Sequence, residues 1–228
     1  MIIEVIAIRA GDVEAACKFG ADRIELVTGI AEGGLTPSAG LIERAVRTAS
    51  VPVNVMLRPH SQSFVYGEED YKVLLRDLNV IREAGAAGFV FGALTEDGEI
   101  DRAGLERVLE EAGGLDMTFH RAFDEIEDQE AALRTLALYP QIKRVLTSGG
   151  KRPAPEAIPR IRRLSRLGDE VGLPILAGHG LKPDTVGSFV ASAGVREVHF
   201  GSGVRENGSF DRPIDPERMR AARRNLGS

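Results

Sequence analysis

Eight short apolar stretches alternate strictly with eight amphipathic ones along 228 residues. That length falls slightly under the ~250 residues of an undecorated (β/α)8 barrel. No Gly-x-Gly-x-x-Gly turn follows the first stretch, where Ile8-Arg9-Ala10-Gly11 stands instead, which argues against an open doubly wound sheet. Together these observations predict an α/β protein built as one TIM-barrel domain over residues 1–228, with a closed sheet of eight parallel strands.

Each element has a local reason. Ile2–Ile6 reads as the first strand and Asp12–Phe19 as its helix. Arg23–Leu26 is the second strand; Thr36 as N-cap and Pro37 at the first helical position open the next helix. Val53–Leu57 is the third strand and stops at Arg58-Pro59, because proline cannot continue an interior ladder. A longer loop, 60–67, precedes a helix from Glu68 to Ala84. Its acidic start, Glu68-Glu69-Asp70, suits a helix N-terminus. Gly88–Phe91 and Asp101–Ala112 form the fourth unit, Asp116–Phe119 and Glu127–Leu138 the fifth, and Arg144–Thr147 and Ile158–Leu167 the sixth. Leu173–Ala177 leads to a helix over Pro183–Ala193, and Glu197–Phe200 to a last helix over Asp215–Asn225. Arg218, Arg220, Arg223 and Arg224 read as the solvated face of that last helix.

Composition narrows the function. The chain is 43% hydrophobic and 28% charged, with a net charge of −5. This is ordinary globular composition without the basic excess of a nucleic-acid surface, so no nucleic-acid partner is expected. No apolar run reaches membrane-spanning length and no secretory signal is read at the N-terminus, so no membrane association is expected. The single cysteine, Cys17, forms no internal disulfide, and a cytoplasmic location is the default.

Strand periodicity then sorts side chains between helices and barrel axis. With Ile3, Val5, Ile24, Leu26, Val53, Val55, Met117, Phe119, Val198 and Phe200 facing the helices, the inward set includes Glu4, Arg23, Glu25, Asn54, Met56, Arg58, Thr118, His120, Glu197 and His199. Barrel interiors are ordinarily filled by branched apolar residues, and unpaired buried charges are costly. Arg23, Asp116, Arg144 and Glu197 lie near strand starts, where mutual pairing suffices. Glu25, Arg58 and His120 lie near the carboxyl ends, where barrel sites form. The stretch Thr118-Phe119-His120-Arg121-Ala122-Phe123-Asp124 brings an acid/base, a cation and a carboxylate to that rim. Glu25, Arg58, His120, Arg121 and Asp124 are therefore the candidate catalytic residues, with Glu4 and His199 as supports. The bland alternative is that His120 and Asp124 only cap the turn after the strand.

Glycine-rich turns share the rim: Ser148-Gly149-Gly150 after the sixth strand, Gly178-His179-Gly180 after the seventh and Gly201-Ser202-Gly203 after the eighth. Glycine lets the backbone approach an anion closely, and the late loops of such barrels often form phosphate sites. Ser148, Gly149, Gly178, His179, Gly180, Gly201 and Ser202 are the candidate anion-binding set.

Gly20-Ala21-Asp22-Arg23-Ile24-Glu25-Leu26, Glu32-Gly33-Gly34-Leu35-Thr36-Pro37-Ser38, Val55-Met56-Leu57-Arg58-Pro59, Phe91-Gly92-Ala93-Leu94, Thr118–Asp124 and Leu146-Thr147-Ser148-Gly149 closely resemble the CutC family, from Glu4 to about Ser202. The resemblance implies a cytoplasmic TIM barrel, commonly a homodimer, associated with copper homeostasis and copper binding. On that reading His120 and His199 would be metal ligands, with His179 as a third. The loop after Pro59 and the turn Gly178-His179-Gly180 depart from the family pattern. Copper(I) favours thiolate and thioether ligands, whereas the rim offers histidines, Glu25 and a single inward Met56. That set suits zinc or copper(II) better. Two functions are carried forward: a protein of copper homeostasis with copper as its metal, and an enzyme doing isomerase- or lyase-like acid–base chemistry on a small anionic or phosphorylated metabolite.

Overall fold

The computed structural model describes residues 1–227. Eight strands close into a barrel in sequence order, every neighbouring pair parallel, with the first strand also paired to the last. The strands are β1 (Ile2–Ala7), β2 (Arg23–Leu26), β3 (Val53–Met56), β4 (Gly88–Phe91), β5 (Asp116–Phe119), β6 (Ile142–Thr147), β7 (Ile175–Ala177) and β8 (Glu197–Phe200). The helices between and after them are α1 (Ala10–Lys18), α2 (Ala39–Thr48), α3 (Glu68–Glu83), α4 (Arg102–Glu111), α5 (Gln129–Leu136), α6 (Ile158–Val171), α7 (Val186–Ala193) and α8 (Pro216–Asn225). None of the described helices is long and apolar enough to cross a membrane.

The strand alternation divides the apolar residues into two bodies. Ile3, Val5, Ile24, Leu26, Val55, Met117 and Phe119 are buried in the large core between sheet and helices. A much smaller cluster, Ile6, Val27, Met56 and Val90, fills part of the barrel's inside, with Ile8, Ile30 and Phe210 packed on it. Much of the rest of the interior is polar, with a chain of ion pairs running through it.

Several helix starts differ from the sequence expectation: α1 begins at Ala10 rather than Asp12 and α7 at Val186 rather than Pro183, and at α2 and α5 a side chain explains the difference. Ser38, not Thr36, caps α2 through Oγ, which accepts from the Leu41 N–H. Thr36 is engaged elsewhere: its Oγ1 accepts from the Arg58 N–H at 2.8 Å and donates to the Arg58 carbonyl at 3.1 Å, tying the loop after β2 to the end of β3. The expected helix from Glu127 begins at Gln129, because the Asp128 carboxylate caps it by accepting from Ala131 N–H. A 3₁₀ turn, Arg121–Glu125, precedes it.

Candidate functional site

The charged interior is built upward from the bottom. Arg23 Nη2 donates to Glu197 at 2.6 Å and its Nε to Glu4. Arg144 pairs with the same Glu197 at 3.2 Å and donates to Thr118 Oγ1 at 3.1 Å. Asp116, grouped with these from sequence, instead pairs with Lys143 at 3.6 Å at the half-exposed lower edge. Glu4 carries the chain of contacts on: its second oxygen lies 2.7 Å from His199 Nδ1, and His199 Nε2 lies 3.7 Å from Glu25. A continuous series Glu197–Arg23–Glu4–His199–Glu25 thus threads the barrel from its amino to its carboxyl end.

The top of that series opens into a cavity of about 1070 Å³ lined by residues from the carboxyl ends of the strands and the loops beyond. Glu25, Arg58, His120, Arg121, Asp124 and His199 all reach its wall. Three of them leave buried polar atoms with no protein partner: Glu25 Oε1, Arg58 Nε and His120 Nε2. These side chains are almost wholly buried, so an unmatched polar atom on each costs stability unless a ligand or water completes it.

Each is held from behind. Arg58 Nη1 donates to the carbonyls of Glu32 at 3.1 Å and Gly34 at 3.3 Å, and its guanidinium sits 4.6 Å from the Phe64 ring. His120 Nδ1 accepts from the Ala122 N–H at 3.2 Å, and Phe64 packs on the imidazole with ring centres 4.9 Å apart. An accepting Nδ1 places the proton of the neutral ring on Nε2, so the unpartnered nitrogen of His120 is an N–H donor. Burial, reinforced by the nearby Arg58 and Arg121 cations, lowers the His120 pKa to about 3 and keeps the ring neutral. Gly92 makes room for it, since a Cβ there would fall 2.5 Å from His120 Nδ1.

Glu25 behaves oppositely. Burial and the like charge of Glu4 push its carboxyl up to about 7, against the pull of His199 and Arg23. Glu4 is held well below the ordinary carboxylate range: its bonds to His199 and Arg23 outweigh burial. His199 is raised, because Glu25 and Glu4 together overcome its burial. Glu25 is poised near neutrality, as a general acid or base requires.

The remaining candidates divide. Asp124 is saturated: it accepts from Arg121 Nε at 2.8 Å, from Ser148 N–H and Oγ, from Gly150 N–H and from Thr147 Oγ1. It clamps the loop after β6 and has no free lone pair for catalysis. The same contacts correct the anion set. Ser148 N–H is taken by Asp124, Gly149 N–H by Thr147 Oγ1 and Gly178 N–H by the Thr147 carbonyl. His179, Gly180, Gly201 and Ser202 do line the cavity, with Gly203 and Arg218 beside them. The backbone N–H groups of Gly180, Gly201, Ser202 and Gly203 have no acceptor among the described residues. Phe64 and Phe210 were not read as site residues from the sequence, and Arg218, read there as part of a solvated helix face, instead lines the cavity and donates to the Gly203 carbonyl at 3.2 Å. Phe64 and Phe210 lie in loops, where strand and helix periodicity says nothing of direction.

Among the described residues, the group with metal-ligand geometry is Glu4, Glu25 and His199, whose donor atoms lie within 4.8 Å of one another. His120 is not part of it. Cys17 is remote on α1, its sulfur accepting from Ser50 N–H.

The family model described as the CutC family matches residues 1–204. The chain belongs to the CutC family. A CutC family protein of Agrobacterium fabrum is 41% identical over 199 residues, covering 87% of this chain and 78% of the relative. One from Salmonella enteritidis is 40% identical over 185 residues, covering 81% and 73%. A solved CutC structure from Streptococcus agalactiae, named for copper homeostasis, superposes with a TM-score of 0.83 at 29% identity, over 88% of this chain and 98% of that one. A phosphoribosyl anthranilate isomerase from Thermococcus kodakaraensis superposes with a TM-score of 0.65 at 16% identity, over 99% and 98%, which shows a shared barrel fold alone. The CutC match ends at residue 204, so Phe210 and Arg218 lie beyond it.

Proposed function

We propose that this CutC-family chain serves copper homeostasis, the role for which its Streptococcus agalactiae relative is named, as a barrel enzyme acting on a small anionic or phosphorylated metabolite. The observation that carries the reading is that Glu25, Arg58 and His120, which line one cavity, each leave a buried polar atom (Glu25 Oε1, Arg58 Nε and His120 Nε2) without a protein partner. An acid near neutrality, a neutral N–H donor and a fixed cation form the set that moves a proton next to a carbonyl. Glu25 takes and returns the proton, His120 Nε2–H stabilises the developing oxyanion, and Arg58 supplies positive potential. Arg121, fixed by Asp124 and by Ser148 Oγ at 3.1 Å, presents a second cation at the rim. The free N–H groups of Gly180, Gly201, Ser202 and Gly203 receive the anionic end of the ligand.

The residues present do not fit a resident copper ion. In the Glu4–Glu25–His199 group, both Glu4 oxygens are engaged, by Arg23 and by His199 Nδ1. That leaves one carboxylate and one imidazole nitrogen. Among the described residues on the cavity wall Met56 alone carries sulfur, whereas copper(I) selects thiolate and thioether sets. No step of the chemistry is therefore routed through the metal.

Two titrations test the reading. Ribose 5-phosphate, followed by calorimetry, is expected to bind the wild type and to bind His120→Ala at least about tenfold more weakly. Copper(I), added anaerobically against a chromophoric chelator, is expected to bind weakly and with no dependence on His120. Tight one-to-one copper binding lost in His120→Ala, with no response to sugar phosphates, would replace this reading with a metal-carrier role.

A further inference from the structure

The cavity wall has two chemically distinct halves. Over β1 to β3 it carries an apolar patch, Ile6 on β1, Ile30 in the loop after β2 and Met56 on β3, joined by Phe210 from the loop after β8, with Glu32 and Ser61–Ser63 as polar neighbours on the loops above. Over β5 to β8 it is polar and largely cationic, with Arg121, His179, Lys182, Ser202 and Arg218. Glu25, Arg58, His120 and His199 lie between the two halves.

Phe210 is the informative member. It lies in a turn outside the main core, yet it is fixed from two sides. The Arg205 guanidinium sits 5.0 Å from its ring centre, and Arg9 Nη2 donates to its carbonyl at 3.1 Å. Arg205 is itself fully buried and anchored to Asp12 at 2.7 Å and to the Ile6 carbonyl at 3.0 Å. A buried ion pair thus holds an aromatic ring against the mouth of the barrel. The ring lies directly over Gly201, where a Cβ would come within 2.8 Å of Phe210 Cζ and 3.2 Å of Ile6 Cδ1. Glycine at 201 therefore lets the edge of an aromatic ring and a free backbone N–H sit side by side. A site for phosphate alone has no use for such a wall, and about 1070 Å³ is at the upper end of the roughly 300–1,000 Å³ of small-molecule pockets.

We propose that the ligand of this cavity is a phosphorylated metabolite bearing an aromatic or heteroaromatic ring, its phosphate at the Gly201–Gly203 turn and its ring against Phe210, Ile6, Ile30 and Met56. The proposal rests on the anionic-ligand reading above and adds the ring. Stacking on a fixed aromatic side chain contributes affinity without requiring a particular hydrogen-bonding edge, so simple mononucleotides are suitable probes.

The experiment is calorimetric binding of ribose 5-phosphate, uridine 5′-monophosphate and adenosine 5′-monophosphate to the full chain, to Phe210→Ala and to Phe210→Leu. At least one mononucleotide is expected to bind about tenfold or more tightly than ribose 5-phosphate. Phe210→Ala is expected to erase that advantage while leaving ribose 5-phosphate affinity within about twofold, and Phe210→Leu to retain part of it. Ribose 5-phosphate binding as tightly as both mononucleotides overturns the ring and leaves the anionic-ligand reading standing. A mononucleotide advantage indifferent to Phe210→Ala also overturns it. Absence of binding by all three probes overturns both readings together.

Discussion

The imidazole of His199 and the carboxylate of Glu4, 195 residues apart in the chain, meet at 2.7 Å where the last strand closes on the first. The contact fixes Nδ1 and turns Nε2 toward Glu25. Closure of the sheet thereby links the ion-paired lower interior to the Glu25 carboxyl, which is pushed up to about 7.

Glu25 has a measurable stability signature. Its carboxyl titrates at about 7 in the fold against an ordinary value of 4.5. The native state keeps a proton that the unfolded chain gives up between those pH values, so this contribution is full below pH 4.5 and is lost as pH rises through 7. Glu25→Gln cannot ionise. The variant is expected to exceed the wild type by on the order of 1–3 kcal/mol at pH 8, with the gap closing toward pH 4.5, in urea denaturation. Superimposable curves at pH 8 would refute the assignment.

His120 runs the other way. Its folded pKa of about 3 lies below the ordinary 6.5, so the unfolded chain gains a proton that the native ring refuses. Stability is complete above pH 6.5 and falls as pH drops toward 3. His120→Asn, whose amide oxygen can still accept from Ala122 N–H, is expected to lose about 2 kcal/mol less than the wild type between pH 6.5 and 5. Equal acid sensitivity in the two proteins would show that His120 is not held neutral.

Arg23 joins Glu4 to Glu197 deep in the barrel. Arg23→Met takes the guanidinium from the buried Glu4 carboxylate, leaving it His199 alone, and a cost of about 3–5 kcal/mol is expected. Adding Glu4→Gln is expected to recover part of that loss, since it removes the stranded charge. A double variant no more stable than the single one would mean that the cost arises from packing.

Gly92 has an ordinary backbone conformation, so its role is spatial. A Cβ there would come 2.7 Å from His120 Cε1 and 3.2 Å from Ala122 Cβ. Gly92→Ala is expected to displace the imidazole, costing about 1–3 kcal/mol and weakening sugar-phosphate binding as much as His120→Ala does. Full binding by the variant would remove His120 Nε2 from the ligand contacts.

Much of this architecture was legible in the sequence because a strand has a period of two. The alternation of Ile24, Glu25 and Leu26, or of Phe119 and His120, separates core from cavity without any knowledge of neighbours. Partnership was not legible. Glu4 meets His199 only because β1 pairs with β8 in a particular register, which no local pattern encodes. Asp124 looked like a free carboxylate, but it is saturated by a loop 24 residues on. Thr36 looked like a helix cap, but the end of β3 competes for its hydroxyl. Phe64 and Phe210 escaped notice because loop conformation, not periodicity, brings them to the cavity.

On the function proposed above, Glu25 moves a ligand proton in this cavity. The most direct measurement is solvent deuterium incorporation, followed by NMR, into a panel of phosphorylated aldoses, ketoses and ring-bearing phosphates at the carbon beside the carbonyl. Wild type is expected to exchange at least one panel member, and Glu25→Gln to bind it with similar affinity while exchanging it at least about a hundredfold more slowly. Exchange unchanged in Glu25→Gln, or no exchange in any member that binds the wild type, would contradict the account.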